Sequence, residues 1–445
     1  VSKSSERQIH LAAFNYGGMY GQSWRHPAVD STMDFSLAYQ TEYARTAERG
    51  LLDAIFMADE SSQARPPSEM DMLKRMSSST AFEPITLMTA LAARTERIGL
   101  MFTASSTYYE PYNLARLVGS LDHLSAGRAG WNLVTSNNVN EAPNFGRPIP
   151  PHAERYARAR EFYDVVTGLW DSFDDDAFRR DKESGVFFDP DKLHAVNFQG
   201  KYFQVRGPLR MARPPQGHPV IAQAGASEPG RQLGAETADV IFCAAQFMND
   251  SQAFFADIKG RAERAGRQRD DVKILPGVSI IWGSTMAEAE DKFDAISKMW
   301  PLEIAIQGIT GGIGLDITQY DPDDLFPELP PSNGIQGHQR AITEFAKRGN
   351  LTIRQTAQRL AASIKHRTLV GTTQMIADDM EAWFLGEACD GFILIPPYQL
   401  QGLQEFIEHV VPELQRRGLF RTAYTGRTLR EHLGVPRPPS RYASA

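Results

Sequence analysis

Five polar residues stand where an apolar run meets a turn or where a helical pattern begins: Asp59, Thr103, His152, Tyr156 and Ser227. Ser227 lies in Ala224-Gly225-Ala226-Ser227-Glu228-Pro229-Gly230-Arg231, between an apolar run and an amphipathic stretch. A serine N-cap with proline in the first turn opens a helix. Small residues let the backbone approach an anion, and the free N–H groups of a helix start can bind it. The plain alternative is a capping turn that binds nothing. His152 and Tyr156 are four residues apart at a helix start and share one face. That face offers an imidazole and a phenol to a cofactor, or else a cap and a packing pair. Asp59 closes an apolar run and can hydrogen-bond a ligand or cap the next turn. Thr103 ends another run as a strand-end hydroxyl. Phe14, Phe56 and Phe247 lie at or near run ends, where they line an apolar pocket or belong to the core. In Trp24-Arg25-His26, Arg25 can pair with an anionic substrate or stay solvated.

Other chemistries find no support. There is no His-x-His, and His10 precedes most of the first apolar run, so no metal site is expected. No GxSxG elbow marks a serine nucleophile. The 2 cysteines, Cys243 and Cys389, are far apart, so neither a disulfide framework nor a thiolate metal site is expected. That usage suits a reducing compartment, hence the cytoplasm. A net charge of −7 without a basic tract argues against nucleic-acid binding. No apolar signal core follows Val1 to Arg7, and no run is long enough to cross a membrane.

One rhythm positions the five residues: a short apolar run, a polar turn, then an amphipathic stretch. Strands are expected at Ile9–Phe14, Ala54–Ala58, Ile98–Thr103, Ala129–Val134, Val220–Gln223, Val240–Ala244, Lys273–Trp282 and Gly391–Ile395. Helices are expected from about Asp34 to Arg49, from Pro84, from Pro111 to Leu124, from His152 to about Leu169 and from Ser227. Three more are expected at Asp250–Ala265, Thr373–Leu385 and Leu403–Arg417. Strands apolar on both faces and alternating with helices argue for parallel βα units. Eight units permit closure into an α/β, (β/α)8 TIM barrel, with an open doubly wound sheet as competitor. The competitor's GxGxxG turn is missing after the first strand. A length of 445 residues then reads as one barrel domain with insertions at about 171–218 and 283–372 and an Arg- and Pro-rich tail, 420–445.

Further segments complete an ordered set. They are Ser23-Trp24-Arg25-His26-Pro27, Glu48-Arg49-Gly50-Leu51-Leu52-Asp53, Thr107-Tyr108-Tyr109, Gly127-Arg128-Ala129-Gly130-Trp131-Asn132 and Asn144-Phe145-Gly146. His152-Ala153-Glu154-Arg155-Tyr156, Gly200-Lys201-Tyr202-Phe203, Asp390-Gly391-Phe392 and Val410-Val411-Pro412-Glu413-Leu414 follow. In order and spacing the set resembles the two-component flavin-dependent monooxygenases of the bacterial luciferase superfamily. The branch is that of nitrilotriacetate monooxygenase, pristinamycin synthase and dibenzothiophene-sulfone monooxygenase.

The resemblance implies a barrel that binds reduced FMN at the C-terminal ends of its strands. Ser227 would meet the FMN phosphate, His152 and Tyr156 the ribityl-phosphate side, and Asp59 and Thr103 the isoalloxazine. It also implies an NAD(P)H:FMN reductase that supplies FMNH2, and O2 as co-substrate. One oxygen atom would pass through a flavin C4a-(hydro)peroxide to a small organic substrate. The 283–372 insertion is then a candidate lid, and a homodimer or homotetramer is expected. Phe14, Phe56 and Phe247 favour an apolar or aromatic substrate, while Arg25 keeps an anionic one open. The first loop lacks the cysteine of the alkane-oxidising relative, and Thr310 to Gly314 lacks the histidine of the sulfone-oxidising one. Competing expectations are a deazaflavin-dependent hydride-transfer enzyme and a flavin-binding protein without turnover.

Overall fold

A computed structural model describes residues 7–18, 21–33, 35–62, 70–136, 138–313, 316–328, 336–363 and 366–443. Its strands are β1 (His10–Asn15), β2 (Ala54–Met57), β3 (Gly99–Ser105), β4 (Ala129–Val134), β5 (Phe198–Gln199) and β6 (Gln204–Val205). They continue as β7 (Val220–Gln223), β8 (Val240–Cys243), β9 (Lys273–Trp282), β10 (Arg367–Gly371) and β11 (Gly391–Leu394). Around the ring the order is β1, β2, β3, β4, β7, β8, β9, β11, and β11 pairs back with β1. Every pairing in the ring is parallel. The expected (β/α)8 barrel is the fold.

Side-chain alternation explains how each strand serves two layers. On β1, Ala12 and Phe14 fill the barrel interior, while Leu11 and Ala13 pack outward into the helix layer. On β4, Trp131 and Leu133 face the helices, leaving Gly130 and Asn132 to the interior. The tail is part of the barrel. Leu429, Leu433 and Val435 enter the interior cluster at the end where the strands begin. A Cβ on Gly99 would lie 2.5 Å from Leu429 Cδ1, so glycine there makes room for the plug.

Charge closes that same end. The first N–H groups of a strand lack a partner where its neighbour starts later. Asp53 accepts from Leu11 N (2.8 Å), Asp239 from Ile221 N (2.9 Å) and Asp390 from Ile274 N (2.9 Å). Each of these aspartates stands immediately before β2, β8 or β11 and is buried. Each also meets a cation: Arg421 for Asp53, Arg430 for Asp239 and Lys259 for Asp390. Burial alone would raise the Asp53 carboxyl, but Arg421 and His10 more than offset it and hold it at about 2.

Some elements depart from expectation. The helix expected from Asp34 runs Leu37–Arg49 with Ser36 as its N-cap, and Asp34 lies outside the described residues. The 171–218 segment contributes the hairpin β5–β6. Within 283–372, four helices among the described residues are followed by β10, a strand not foreseen. β9 is 10 residues long and pairs with β8 over Lys273 to Pro276 and with β10 over Val278 to Trp282. β10 thus continues the wall where β8 stops. The short run Thr368-Leu369-Val370, with β-branched residues at its two ends, was its signal, hidden by the polar segment before it.

Arg430 donates to both Asp239 oxygens, at 3.0 and 2.9 Å, in a buried site. Arg430→Met is expected to lower stability by about 3–5 kcal/mol, because it strands a buried carboxylate. Urea unfolding measures this, and Asp239→Asn added to Arg430→Met should recover part of the loss. A single variant as stable as the parent would show that the tail does not close the barrel.

Candidate functional site

In a parallel barrel every strand exits at the same end, and this end carries the five residues. Asp59 follows β2, Thr103 stands two residues before the end of β3, His152 and Tyr156 open the long helix His152–Trp170 that follows β4, and Ser227 caps the helix after β7. β2, β3, β4 and β7 are consecutive in the ring, so the five share one continuous arc of the mouth.

Asp59 and Thr103 line one cavity of about 550 Å3 with Ser105, Tyr108, Glu83 and Glu141. Asp59 is exposed at its lip. The crowding walls raise its carboxyl first, the carboxylates of Glu83, Glu141 and Glu60 add to this, and it reaches about 6. Glu141 is held by Ser61, whose N–H and Oγ donate to it at 3.0 and 2.8 Å. Tyr108 stacks on Phe145 with ring centroids 4.3 Å apart, and its buried hydroxyl has no partner among the described residues. Thr103 is buried and donates to the Met57 carbonyl at 2.9 Å. It accepts from Asn132 Nδ2 at 2.9 Å, and the buried Asn132 Oδ1 has no partner among the described residues.

The other three residues touch in series. The His152 and Tyr156 rings lie 5.0 Å apart, and Ser227 Oγ donates to Tyr156 Oη at 3.3 Å. Ser227 also accepts from Gly230 N at 3.4 Å, as the N-cap of the helix Glu228–Thr237. A Cβ on Gly225 or on Gly230 would come within 2.9 Å of the Tyr156 hydroxyl. Glycine at both places therefore lets the phenol lie against the bare start of the helix.

Across the mouth the wall is aromatic. Phe14 and Phe56 meet at 5.9 Å, and both meet Phe242 of β8, at 6.0 and 5.6 Å. Phe242, which the sequence reasoning missed, is brought inward by its alternation with Val240, a signal present in Val240-Ile241-Phe242-Cys243. Phe247 is placed differently. It is the N-cap of the helix Met248–Arg264, with the Arg348 guanidinium 5.3 Å over its ring. His366, immediately before β10, was also missed. Its ring lies 5.5 Å from Phe242, and its buried Nδ1 has no partner among the described residues. A Cβ on Gly277 would fall 2.6 Å from that nitrogen, so the glycine in β9 makes space for the imidazole. Burial lowers His366 to about 4, which leaves it neutral at pH 7. Arg25 donates to the Met299 carbonyl and so ties the first loop to the second inserted segment.

A closed parallel barrel with polar strand ends gathered on one arc, beside an aromatic wall, defines a barrel enzyme with its chemistry at the C-terminal mouth. The chain belongs to the luciferase-like monooxygenase family, whose model matches residues 19–386, and it is a flavin-dependent monooxygenase. It is 45% identical over 448 residues to nitrilotriacetate monooxygenase component A of Aminobacter aminovorans, covering 99% of both chains. It is 44% identical over 445 residues to N-acetyl-S-(2-succino)cysteine monooxygenase of Bacillus subtilis, again covering 99% of both. The crystal structure of DmoA from Hyphomicrobium sulfonivorans superposes with a TM-score of 0.87 at 33% identity, covering 96% of this chain and 92% of that one. Among the described residues no helix is long and apolar enough to cross a membrane.

Asp59 supplies a pH test. Its folded value, about 6, exceeds the usual 3.8. The folded state therefore holds the proton more tightly, and Asp59 makes stability fall as pH rises from about 4 through 6. Asp59→Asn removes that fall. Urea midpoints at pH 4 and pH 7 should show the variant gaining on the parent at the higher pH. Equal differences at both pH values would contradict a raised Asp59.

Proposed function

We propose that the chain is the oxygenase component of a two-component system that uses FMNH2 delivered by a separate NAD(P)H:FMN reductase. The observation that carries the reading is the cradle formed by Gly225, Ser227, Gly230 and Tyr156 at a helix start. Two hydroxyls and a helix dipole suit a phosphate, and the two glycines let the Tyr156 phenol close against the helix start. The unpartnered Asn132 Oδ1 and Tyr108 Oη, on the same arc, suit a polar ring system. These residues fit an FMN whose phosphate lies at Ser227 and whose isoalloxazine lies by Asp59 and Thr103. His152 and Tyr156 flank the ribityl chain between them.

Reduced flavin, when bound, supplies the electrons that let one atom of O2 enter the substrate while the other leaves as water. The protein's part is to hold and shield. Phe14, Phe56 and Phe242 give the substrate an apolar wall and keep water from the reacting centre. Neutral His366 is the polar group on that wall, able to orient a substrate without placing a charge there. The inserted helices between β9 and β10, one of which sets Arg348 over Phe247, would act as a lid. The wall favours a small apolar or aromatic substrate. Nitrilotriacetate and N-acetyl-S-(2-succino)cysteine, named for the relatives, belong in the same screen as sulfones, alkanes and haloaromatics.

Ser227→Asp should weaken FMN binding ~100-fold, because a carboxylate in the cradle opposes the phosphate. Fluorescence titration with FMN measures this. Unchanged affinity would remove Ser227 from the site. With NADH, FMN, a reductase and the correct substrate, the wild-type protein should yield an oxygen-containing product. Flavin binding with no oxygenated product from any substrate class would favour a protein that binds flavin without turnover.

A further inference from the structure

The hydrogen bonds of Thr103 and Asn132 have a fixed direction. Thr103 has one hydroxyl hydrogen and donates it to the Met57 carbonyl at 2.9 Å. Toward Asn132 it can then only accept, so the amide group that faces it is Nδ2, at 2.9 Å. Asn132 Oδ1 is left on the other side, buried and without a partner among the described residues. Its neighbours Trp131 and Leu133 pack into the helix layer, which turns Asn132 to the barrel interior. On either side in the sheet it pairs with Thr103 and with Ala222, an interior residue. Asn132 is 4% exposed, and it is the one polar residue within Ala129-Gly130-Trp131-Asn132-Leu133-Val134. A buried carbonyl oxygen without a donor is destabilising until an N–H reaches it.

Flavin N5 changes its hydrogen-bonding sense with oxidation state. In the reduced ring N5 carries a hydrogen and donates, whereas in the oxidised ring it presents a lone pair and accepts. An acceptor locked in one orientation distinguishes the two forms, and a freely turning amide does not. We propose that Asn132 is a redox-selective contact: its Oδ1 accepts from N5–H of reduced flavin and opposes the N5 lone pair of oxidised flavin. The chain from Met57 through Thr103 to Asn132 holds the amide in that sense. Thr103 is then a positioning residue as well as a neighbour of the ring. Product flavin, once reoxidised, is bound less tightly and exchanges for a reduced one. The inference rests on the placement of the isoalloxazine by Thr103 given under Proposed function.

The test compares wild type, Asn132→Leu and Thr103→Val by anaerobic titration with FMN and with chemically reduced FMN. Leucine matches asparagine in size and cannot hydrogen-bond. Valine removes the acceptor that orients the amide. In both variants the ratio of the oxidised to the reduced dissociation constant should fall about tenfold. The midpoint potential of the bound flavin, measured separately, should fall by about 30 mV, the same tenfold change for a two-electron couple. Affinity for oxidised FMN should stay within about threefold of wild type, which also shows that the variants are folded. A ratio unchanged from wild type, or equal weakening of both forms, overturns the proposal; the latter would mean a contact to N3–H, present in both states. A wild-type protein that binds neither form would overturn the flavin reading itself.

Discussion

Three buried aspartates, Asp53, Asp239 and Asp390, hold the closed end of the barrel, and the open end depends on them. Each accepts a backbone N–H from the neighbouring strand and each is neutralised by a cation. Two of the cations, Arg421 and Arg430, come from the tail, which also inserts Leu429 and Leu433 beneath the interior. In a parallel barrel the turns that follow the strands all lie at the other end. With the strand-start N–H groups taken up at one end, the other keeps groups without a partner among the described residues, such as Asn132 Oδ1 and His366 Nδ1, where they can serve a ligand. Loss of a buried partner at the closed end is costly, while the mouth tolerates its unpaired atoms.

The mouth is divided by the order of the ring. The arc β2, β3, β4, β7 carries hydroxyls, an amide, an imidazole and a helix start. The arc β8, β9, β11, β1 carries Phe242, the Gly277 gap filled by His366, and Phe14. β10 makes the second arc possible, because it extends the wall beyond the end of the short β8 and delivers His366. In this division the first arc suits a phosphorylated polar cofactor and the second an organic substrate.

Much of this was legible in the chain. The eight ring strands are continuous apolar runs closed by turns, so their places and the barrel they form follow from pattern. Ser227 could be read because serine, proline and two glycines mark one helix start. What could not be read depends on three-dimensional neighbours. His366 has no meaning until Gly277 lies beside it and Phe242 near it. Phe247 reads in sequence much like Phe242, yet it falls just past its strand and becomes a helix cap under Arg348. The tail reads as basic and Pro-rich, and only the partners Asp53 and Asp239 show that it is a plug. Asn132 was visible as one polar residue inside an apolar strand. Its direction required the hydrogen bond of Thr103 to Met57.

The central claim is that reduced flavin lies on the arc from β2 to β7. Anaerobic hydrogen–deuterium exchange with and without reduced FMN tests it most directly. The account predicts slowed exchange at 224–231, at 57–62 and at 129–136, with no change in the tail from 420 to 443. Protection confined to the aromatic arc or to the tail, with none at 224–231, would contradict it.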